Sequence, residues 1–199
     1  MSAQLESAVT TVALWDHQAE AVAFAAPRPA AMLAMPMGVG KSLSTVAIVG
    51  ERGWSRTLIL APKSVVPHWP REFAKFAAYP VRVVALDERK SVAERVAQAE
   101  IAARQPGPLV IVTNHEAAWR PQFSKFVEQW RPECMVVDEC FPAGTPILTP
   151  DGYRPIESVE IGDDVIGIDH RTGHAATVKV TSTFVRPFAG QFERIAGIE

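Results

Sequence analysis

The sequence predicts two parts of different fold class, an α/β domain followed by an all-β segment. Over residues 1–139, short apolar runs alternate with stretches of helical periodicity, which is typical of a parallel sheet covered by helices on both faces. From Cys140 onward, turn signals separate short apolar runs, and no periodicity of helix length is present. The charge changes at the same place, with 15 Lys and Arg against 14 Asp and Glu before Cys140 and 5 against 8 after it. We therefore predict domains at 1–139 and 140–199.

The composition limits the function classes to which the chain can belong. With 48% hydrophobic and 21% charged residues among 199, it has enough apolar material for a core. A formal net charge of −2 means that contact with nucleic acid requires a local basic patch. Cys134 and Cys140 lack the spacing of a zinc site and cannot form a disulfide scaffold, which fits a reducing compartment. Without a long apolar run or a signal peptide, we expect a cytoplasmic protein with no membrane partner.

The α/β part opens with elements that surround a glycine-rich loop. A helical pattern over 15–26 ends at Pro27, because proline cannot continue the backbone hydrogen bonds of a helix. The apolar run at 31–34 leads into the loop, and residues 43–49 have the pattern of a helix that leaves it. The run at 57–60 (TLIL) is short and apolar, so we predict a buried strand.

The rest of the α/β part repeats this alternation of helix and strand. Trp69, Phe73 and Phe76 recur at helical spacing on one face, and we predict that they pack in the core and do not stack on bases. Ser91 and Glu94 form a capping box that starts a further helix. Residues 105–108 end that helix, and strand-like runs stand at 81–86, 109–113 and 135–137.

The loop at 35–42 (MPMGVGKS) ends a strand and opens a helix, which is the setting that a phosphate-binding loop requires. Glycines let backbone N–H groups approach phosphate oxygens, Lys41 can reach the β- and γ-phosphates, and Ser42 can ligate Mg²⁺. The predicted cofactor-binding residues of this loop are Met37, Gly38, Val39, Gly40, Lys41 and Ser42. Because Met35 stands where the GxxxxGKS pattern has its first glycine, a glycine-rich turn before a structural helix is the alternative.

Two acids follow the apolar run at 135–137. In nucleotide hydrolases such a strand places an aspartate beside Mg²⁺ and a glutamate that orients the attacking water, roles that would fall to Asp138 and Glu139. Strand-terminal acids are often only solvated, so the pair alone is weak. Its order and spacing relative to the glycine-rich loop favour the catalytic interpretation.

Five segments in order resemble the first RecA-like domain of superfamily 2 helicases, and most of all the SNF2 translocases. They are LWDHQAEAV (14–22), MPMGVGKS (35–42), LILAPKSVVPHWPREFAKF (58–76), VIVTNHEAAW (110–119) and MVVDE (135–139). In these families the position of Met35 is often not glycine. The resemblance implies a RecA-like parallel sheet of the P-loop NTPase class. It also implies ATP and Mg²⁺ as cofactors, and hydrolysis coupled to movement on DNA, mostly duplex.

The same resemblance implies roles for individual residues. Gln18 would read adenine, Lys41, Asp138 and Glu139 would be catalytic, and Ser42 and Asp138 would hold the metal. Lys63 and Thr113 would contact nucleic acid, although both could equally be solvated loop residues. Asn114 stands where the family frequently has Tyr.

A helicase motif II continues with a small residue and usually His, but residues 140–169 read CFPAGTPILTPDGYRPIESVEIGDDVIGID. This stretch resembles the first block of an intein, the Hint fold, at its N-terminal splice junction. A mere variant of motif II would leave these thirty residues unexplained. The resemblance implies that the Cys140 thiolate attacks the carbonyl of Glu139 and moves the acyl group from nitrogen to sulfur.

Inteins also use a Thr-x-x-His block and a terminal Asn, whereas this sequence has no Thr-x-x-His and its one asparagine, Asn114, precedes the junction. We therefore expect an N-terminal piece of a truncated or split intein, from a bacterium or phage. The partners would be the remaining intein and the second RecA-like half, in cis or in trans, and the piece alone would neither splice nor translocate. Two alternatives remain, a P-loop binding module fused to a Hint autoprocessing domain and an inert fragment.

Overall fold

The computed structural model describes residues 4–5, 7–33, 35, 39–87, 89–118, 120–138, 145–168, 175–180, 183 and 191–193. The chain divides into two compact units, one made of residues 1–139 and 190–199 and the other of residues 140–189. The predicted domain boundary at Cys140 falls where this division begins, whereas residues 190–199, predicted in the second domain, group with the first unit.

The first unit alternates strands and helices. Its strands are β1 (Gln4–Leu5), β2 (Leu14–Trp15), β3 (Ala31–Leu33), β4 (Arg56–Ala61), β5 (Arg82–Ala85), β6 (Leu109–Asn114) and β7 (Cys134–Val137). Its helices are α1 (Asp16–Ala25), α2 (Lys41–Arg52), α3 (Trp69–Phe76), α4 (Val92–Ala103), the short α5 (His115–Ala118) and α6 (Pro121–Trp130). A 3-10 turn at Val66–His68 leads into α3.

Four strands form a parallel sheet in the order β5-β6-β4-β7. The two central strands, β4 and β6, are buried along almost their whole length, and Leu58 lies opposite Ile111 in the ladder. Parallel sheets of this kind are covered on both faces, so their strands are continuous apolar runs. This property explains why both strands could be predicted from short apolar segments.

Helices cover both faces of the sheet. Because successive residues of a strand point to opposite sides, each central strand packs against helices on both faces. On one face, Ile59 packs in a cluster with Trp69 and Phe73 of α3. On the other, Leu58 and Leu60 pack with Phe123 and other side chains of α4 and α6. The prediction of a parallel sheet between helices is confirmed, and the architecture is compatible with a RecA-like α/β fold.

The core prediction for α3 is also confirmed, since Trp69 and Phe73 are buried and Phe76 packs partly buried beside them. The sequence analysis did not predict α6. Pro121 occupies the first turn of this helix, where proline is tolerated because the missing N–H has no partner in a helix. Phe123, Phe126 and Trp130 then recur on its buried side.

The strand that precedes the glycine-rich loop stands apart from the sheet. Within the described ranges, β3 pairs in parallel with β12 (Gln191–Glu193) and is not a member of the four-stranded sheet. β7, which precedes the two acids, is an edge strand of that sheet, with Met135 and Val137 exposed.

The described residues of the second unit form two hairpins and a 3-10 turn at Ile156–Ser158. β8 (Pro146–Thr149) pairs with β9 (Gly152–Pro155), and β10 (Asp164–Ile168) pairs with β11 (Ala175–Lys179), both antiparallel. Gly152 lies in the predicted turn at 149–152 and has a φ of 114°. This backbone conformation would be strained in a residue with a Cβ. The predicted turns at 142–144 and 169–173 lie outside the described residues. The assignment of residues 140–199 to an all-β Hint domain stays a prediction.

None of the helices in the described part of the chain is long and apolar enough to cross a membrane.

Candidate nucleotide-binding site

The end of the glycine-rich loop has a backbone conformation that only glycine adopts easily. Gly40 caps α2 with φ 86° and ψ 37°, in the left-handed region. The first helical bond joins the Ser44 amide to the Gly40 carbonyl at 3.1 Å. A Cβ added at Gly40 would collide with the side-chain amide of Gln18. Glycine is therefore required here both for its φ and for the close approach of α1.

Gln18 joins the start of α1 to this loop. Its Oε1 accepts a hydrogen bond from the Trp15 amide at 3.1 Å, and its Nε2 donates to the Val39 carbonyl at 3.0 Å. Nε2 of His17 lies 3.0 Å from the same carbonyl. The Gln18 side chain is almost fully buried. Among the described residues these two bonds leave one N–H and one lone pair of its amide unused, because a primary amide carries two donors and two acceptor sites.

These residues border a cleft of about 380 Å³. It lies between the start of α1, the loop, the start of α2 and one side of α3. Its lining residues are Trp15, His17, Gln18, Val39, Gly40, Ser42, Leu43, Glu72, Lys75 and Phe76. The structure thus brings four of the predicted cofactor-binding residues, Gln18, Val39, Gly40 and Ser42, to one concave site. Its volume lies within the range of small-molecule sites in proteins.

Lys41 begins α2 but is not among the residues that line the cleft. Its Nζ donates to the Met35 carbonyl at 3.3 Å, so the ammonium group points back to the start of its own loop. The predicted residues Met37 and Gly38 lie outside the described residues.

Asp138 follows β7 and continues the ladder, since its amide donates to the Leu60 carbonyl at 2.8 Å. Its own carbonyl oxygen lies 3.1 Å from Nε2 of His115. This contact of His115 with Asp138 joins the ends of β6 and β7. Glu139 and Cys140, both predicted to be catalytic, lie outside the described residues.

Lys63 and Thr113 differ sharply in accessibility. Lys63 is 52% exposed at its side chain and forms an ion pair with Glu116, with 2.6 Å between Nζ and Oε2. Thr113 lies opposite Leu60 in the ladder and is fully buried, so it offers no surface to a polynucleotide in this conformation. Its burial weighs against the nucleic-acid contact predicted for it.

The sequence analysis did not identify the side chains next to Lys63. Asn114 accepts from Nη1 of Arg95 at 2.9 Å, and Glu116 pairs with Lys63. Only their place directly after a predicted strand could have indicated them, because residues that follow parallel strands meet at one edge of the sheet. Among the described residues, no group of three His, Cys, Asp or Glu side chains could hold a metal ion.

The left-handed glycine at the start of α2, with Lys41 and Ser42 directly after it, suits a phosphate group held by a helix N-terminus. A parallel sheet between helices together with this helix start is compatible with the class of α/β P-loop domains.

The family model of the SNF2-related domain matches residues 17–142, which is more than half of the chain, and the chain belongs to this family. The resemblance to SNF2 proteins that the five motifs predicted is thereby confirmed.

The chain is also similar to proteins named Helicase SWR1 from two strains of Cryptococcus neoformans var. neoformans serotype D. The identity is 42% over 50 residues in both cases, which is 23% of this chain. The similar segment covers 4% of one relative and 3% of the other, so the chain spans a small fraction of either protein.

Proposed function

We propose that the first unit is the ATP-binding part of a DNA-dependent ATPase of the SNF2 type, and that an intein begins at Cys140. The observation that carries the first half of this proposal is the cleft beside Gly40, into which Gln18, Val39 and Ser42 converge. Membership of the SNF2-related family supports ATP as the nucleotide and DNA as the polymer along which the protein would move. Helicase SWR1, by its name a helicase, is consistent with this assignment.

In this proposal the protein binds the nucleotide at two places, its adenine base and its phosphates. The free N–H and lone pair of the Gln18 amide match the donor and acceptor on the edge of adenine. The amide groups at the start of α2 face the phosphates, and Lys41 exchanges its long bond to the Met35 carbonyl for a phosphate oxygen. Ser42 and Asp138 would hold Mg²⁺, which supplies charge neutralisation on the phosphates when bound.

The assignment of Asp138 rests on its place at the end of β7. Its backbone is held on both sides, by the Leu60 carbonyl and by His115. Glu139, the next residue, would orient the attacking water.

The test of ATP binding is the shift in melting temperature of the whole chain with Mg·ATP. We expect a rise that grows with ligand concentration, because a ligand that binds only the folded state stabilises it by mass action. Lys41→Ala should abolish the rise, whereas Lys125→Ala, an exposed lysine of α6, should retain it. Equal shifts in both variants, or none in the unmodified chain, would contradict the proposal.

The second half of the proposal concerns the junction at Cys140. Three observations support it: the family match ends at residue 142, a separate compact unit begins at 140, and its described residues form hairpins. In the proposed step the Cys140 sulfur bonds to the Glu139 carbonyl carbon, the C–N bond breaks, and the amide nitrogen takes the thiol proton. A thioester and a free amine result.

The position of this junction has a consequence for ATP hydrolysis. Glu139 is the last residue before the insertion, so an unspliced chain carries its water-orienting carboxylate on a segment tethered to a foreign unit. The later intein blocks and the second RecA-like domain would have to come from beyond these residues or from another polypeptide. We expect hydrolysis only after splicing restores the continuation of motif II.

A further inference from the structure

Helix α3 forms one side of the cleft beside Gly40. Its three residues in the cleft are Glu72, Lys75 and Phe76, and none of them is among the predicted cofactor-binding residues. Their spacing of three and four positions from Glu72 places them on one face of the helix. We call these three residues the α3 side of the cleft.

The α3 side is held in place from two directions. Phe73, on the neighbouring face of the helix, is buried against the sheet. The end of the helix is bonded to the segment before α1. There, the Thr11 amide donates to the Phe76 carbonyl at 2.9 Å, and the Thr11 hydroxyl donates to the Lys75 carbonyl at 2.6 Å. The backbone that carries the α3 side is therefore fixed to both the sheet and the N-terminal segment.

Glu72 is the acidic residue of the α3 side. It is half-buried, and it forms no hydrogen bond or ion pair with the residues that the structure describes. The ammonium group of Lys75 lies over the Phe76 ring instead, with Nζ 4.6 Å from the ring centroid. A carboxylate has acceptor sites on both oxygens and no donor. Because partial burial of such a group is unfavourable without hydrogen bonds, the unused acceptors of Glu72 favour a ligand that supplies donors.

One part of an adenine nucleotide fits this carboxylate. The nucleotide donates hydrogen bonds from its exocyclic amino group and from its two ribose hydroxyls, whereas its phosphates are anionic and are repelled by a carboxylate. The amino group lies on the edge of the base that we assign to Gln18. The vicinal ribose hydroxyls remain, and their two O–H groups match the two oxygens of Glu72. In dinucleotide-binding folds a carboxylate likewise accepts a hydrogen bond from a ribose hydroxyl.

We propose that Glu72 accepts hydrogen bonds from both ribose hydroxyls of the bound nucleotide, and that it makes the site select ribonucleotides over deoxyribonucleotides. The ribose joins the base, assigned to Gln18, to the phosphates, assigned to the start of α2, and α3 borders the same cleft. This inference rests on the proposed function, since it specifies the sugar of the nucleotide. Glu72 is a specificity-determining residue in this proposal and takes no part in hydrolysis.

The test compares Mg·ATP with the Mg²⁺ complexes of 2′-deoxy-ATP and 3′-deoxy-ATP, with dissociation constants for the whole chain measured by isothermal titration calorimetry. The three ligands share base, phosphates and metal, so a difference between them reports recognition of the sugar. We expect each deoxy analogue to bind about 10-fold more weakly than ATP, the typical effect of one hydrogen bond to a charged group.

Variants of Glu72 assign this preference to its side chain. Glu72→Ala should bring the affinities for the three ligands within about 2-fold of each other, because both hydrogen bonds are lost. Glu72→Gln, which keeps one acceptor oxygen and the shape of the side chain, should leave an intermediate preference of about 3-fold. Glu128→Ala, at an exposed glutamate of α6, is the matched control and should keep the full preference.

Equal affinity for ATP and either deoxy analogue in the unmodified chain would overturn the proposal. An undiminished preference in Glu72→Ala would do so as well, because the sugar would then be recognised by other residues. A uniform gain in affinity for all three ligands in Glu72→Ala, at an unchanged preference, would show that Glu72 acts only by repulsion of the phosphates, which also contradicts the proposal.

Failure of this inference can be separated from failure of the proposed function. A chain that binds all three ligands alike retains the nucleotide site and overturns the role of Glu72 alone. A chain that binds none of them, and whose melting temperature does not respond to Mg·ATP, overturns the proposed function and this inference with it.

Discussion

Gly40 carries two constraints that are separable by mutation. Its φ of 86° disfavours any residue with a Cβ, and the space that a Cβ would need is occupied by the Gln18 amide. Gly53, at the other end of α2, has a φ of 60° but no heavy atom within 4 Å of the position of its missing Cβ. The two glycines of one helix therefore share the backbone strain and differ in the steric contact.

We predict that Gly40→Ala lowers the free energy of unfolding by about 2–4 kcal/mol and abolishes the response to Mg·ATP, because it adds a collision to a strained backbone. Gly53→Ala should cost about 1 kcal/mol and leave the response to Mg·ATP intact. Urea unfolding of both variants with and without nucleotide measures these effects. Similar losses of stability and of nucleotide response in the two variants would show that Gln18 does not constrain the loop.

At the scale of elements, the turn after β6 connects several parts of the first unit. Three consecutive residues make three contacts: Asn114 with Arg95, His115 with the Asp138 carbonyl, and Glu116 with Lys63. The end of β6 thus contacts helix α4, the residue proposed to hold Mg²⁺ and the segment that follows β4.

We predict that His115→Ala lowers the free energy of unfolding by about 1 kcal/mol, the typical net value of one hydrogen bond. The more specific effect is local, because the Asp138 amide, which bonds to the Leu60 carbonyl, should exchange its hydrogen faster when the carbonyl of the same residue loses its contact with His115. Amide hydrogen exchange read by mass spectrometry measures this rate. His68→Ala, at an exposed histidine before α3, is the control, and equal protection at Asp138 in both variants would contradict the prediction.

The elements that the sequence predicts best are those with one dominant signal. β4 and β6 are continuous apolar runs because both their faces are covered, and α4 starts at a capping box that the structure retains, with Glu94 accepting from the Ser91 amide at 2.9 Å. α6 was not predicted, because a proline such as Pro121 at its start is also typical of a loop. Its buried side becomes evident only once Phe123 is seen to pack against the sheet.

The candidate site divides in the same way. The glycine-rich loop and the acid after β7 could be proposed from the sequence because each is defined by a short run of consecutive residues. The bonds from Gln18 to Val39 and from His115 to Asp138 join residues 21 and 23 positions apart, and no local pattern specifies them. The burial of Thr113 is likewise a property of its place in the ladder opposite Leu60.

At the scale of the whole molecule, the chain has two compact units, for which we propose separate roles. The first contains the cleft beside Gly40, for which we propose nucleotide binding, and the second begins at Cys140. The two cysteines belong to different parts of this arrangement. Burial raises the pKa of Cys134 to about 11, so its thiol carries little thiolate at neutral pH. Because the raised value favours the neutral form, its contribution to stability is constant below about pH 9 and declines as the pH rises above that.

The central claim is that motif II is interrupted between Glu139 and Cys140 by a splicing element, and the mass of the chain after treatment with hydroxylamine tests it most directly. A thioester at Glu139 would be cleaved to release a fragment that ends at residue 139. The account predicts this fragment from the unmodified chain and from Cys134→Ala, and none from Cys140→Ala. A chain that stays intact even when a polypeptide with the later intein blocks is added, or cleavage that survives in Cys140→Ala, would contradict it.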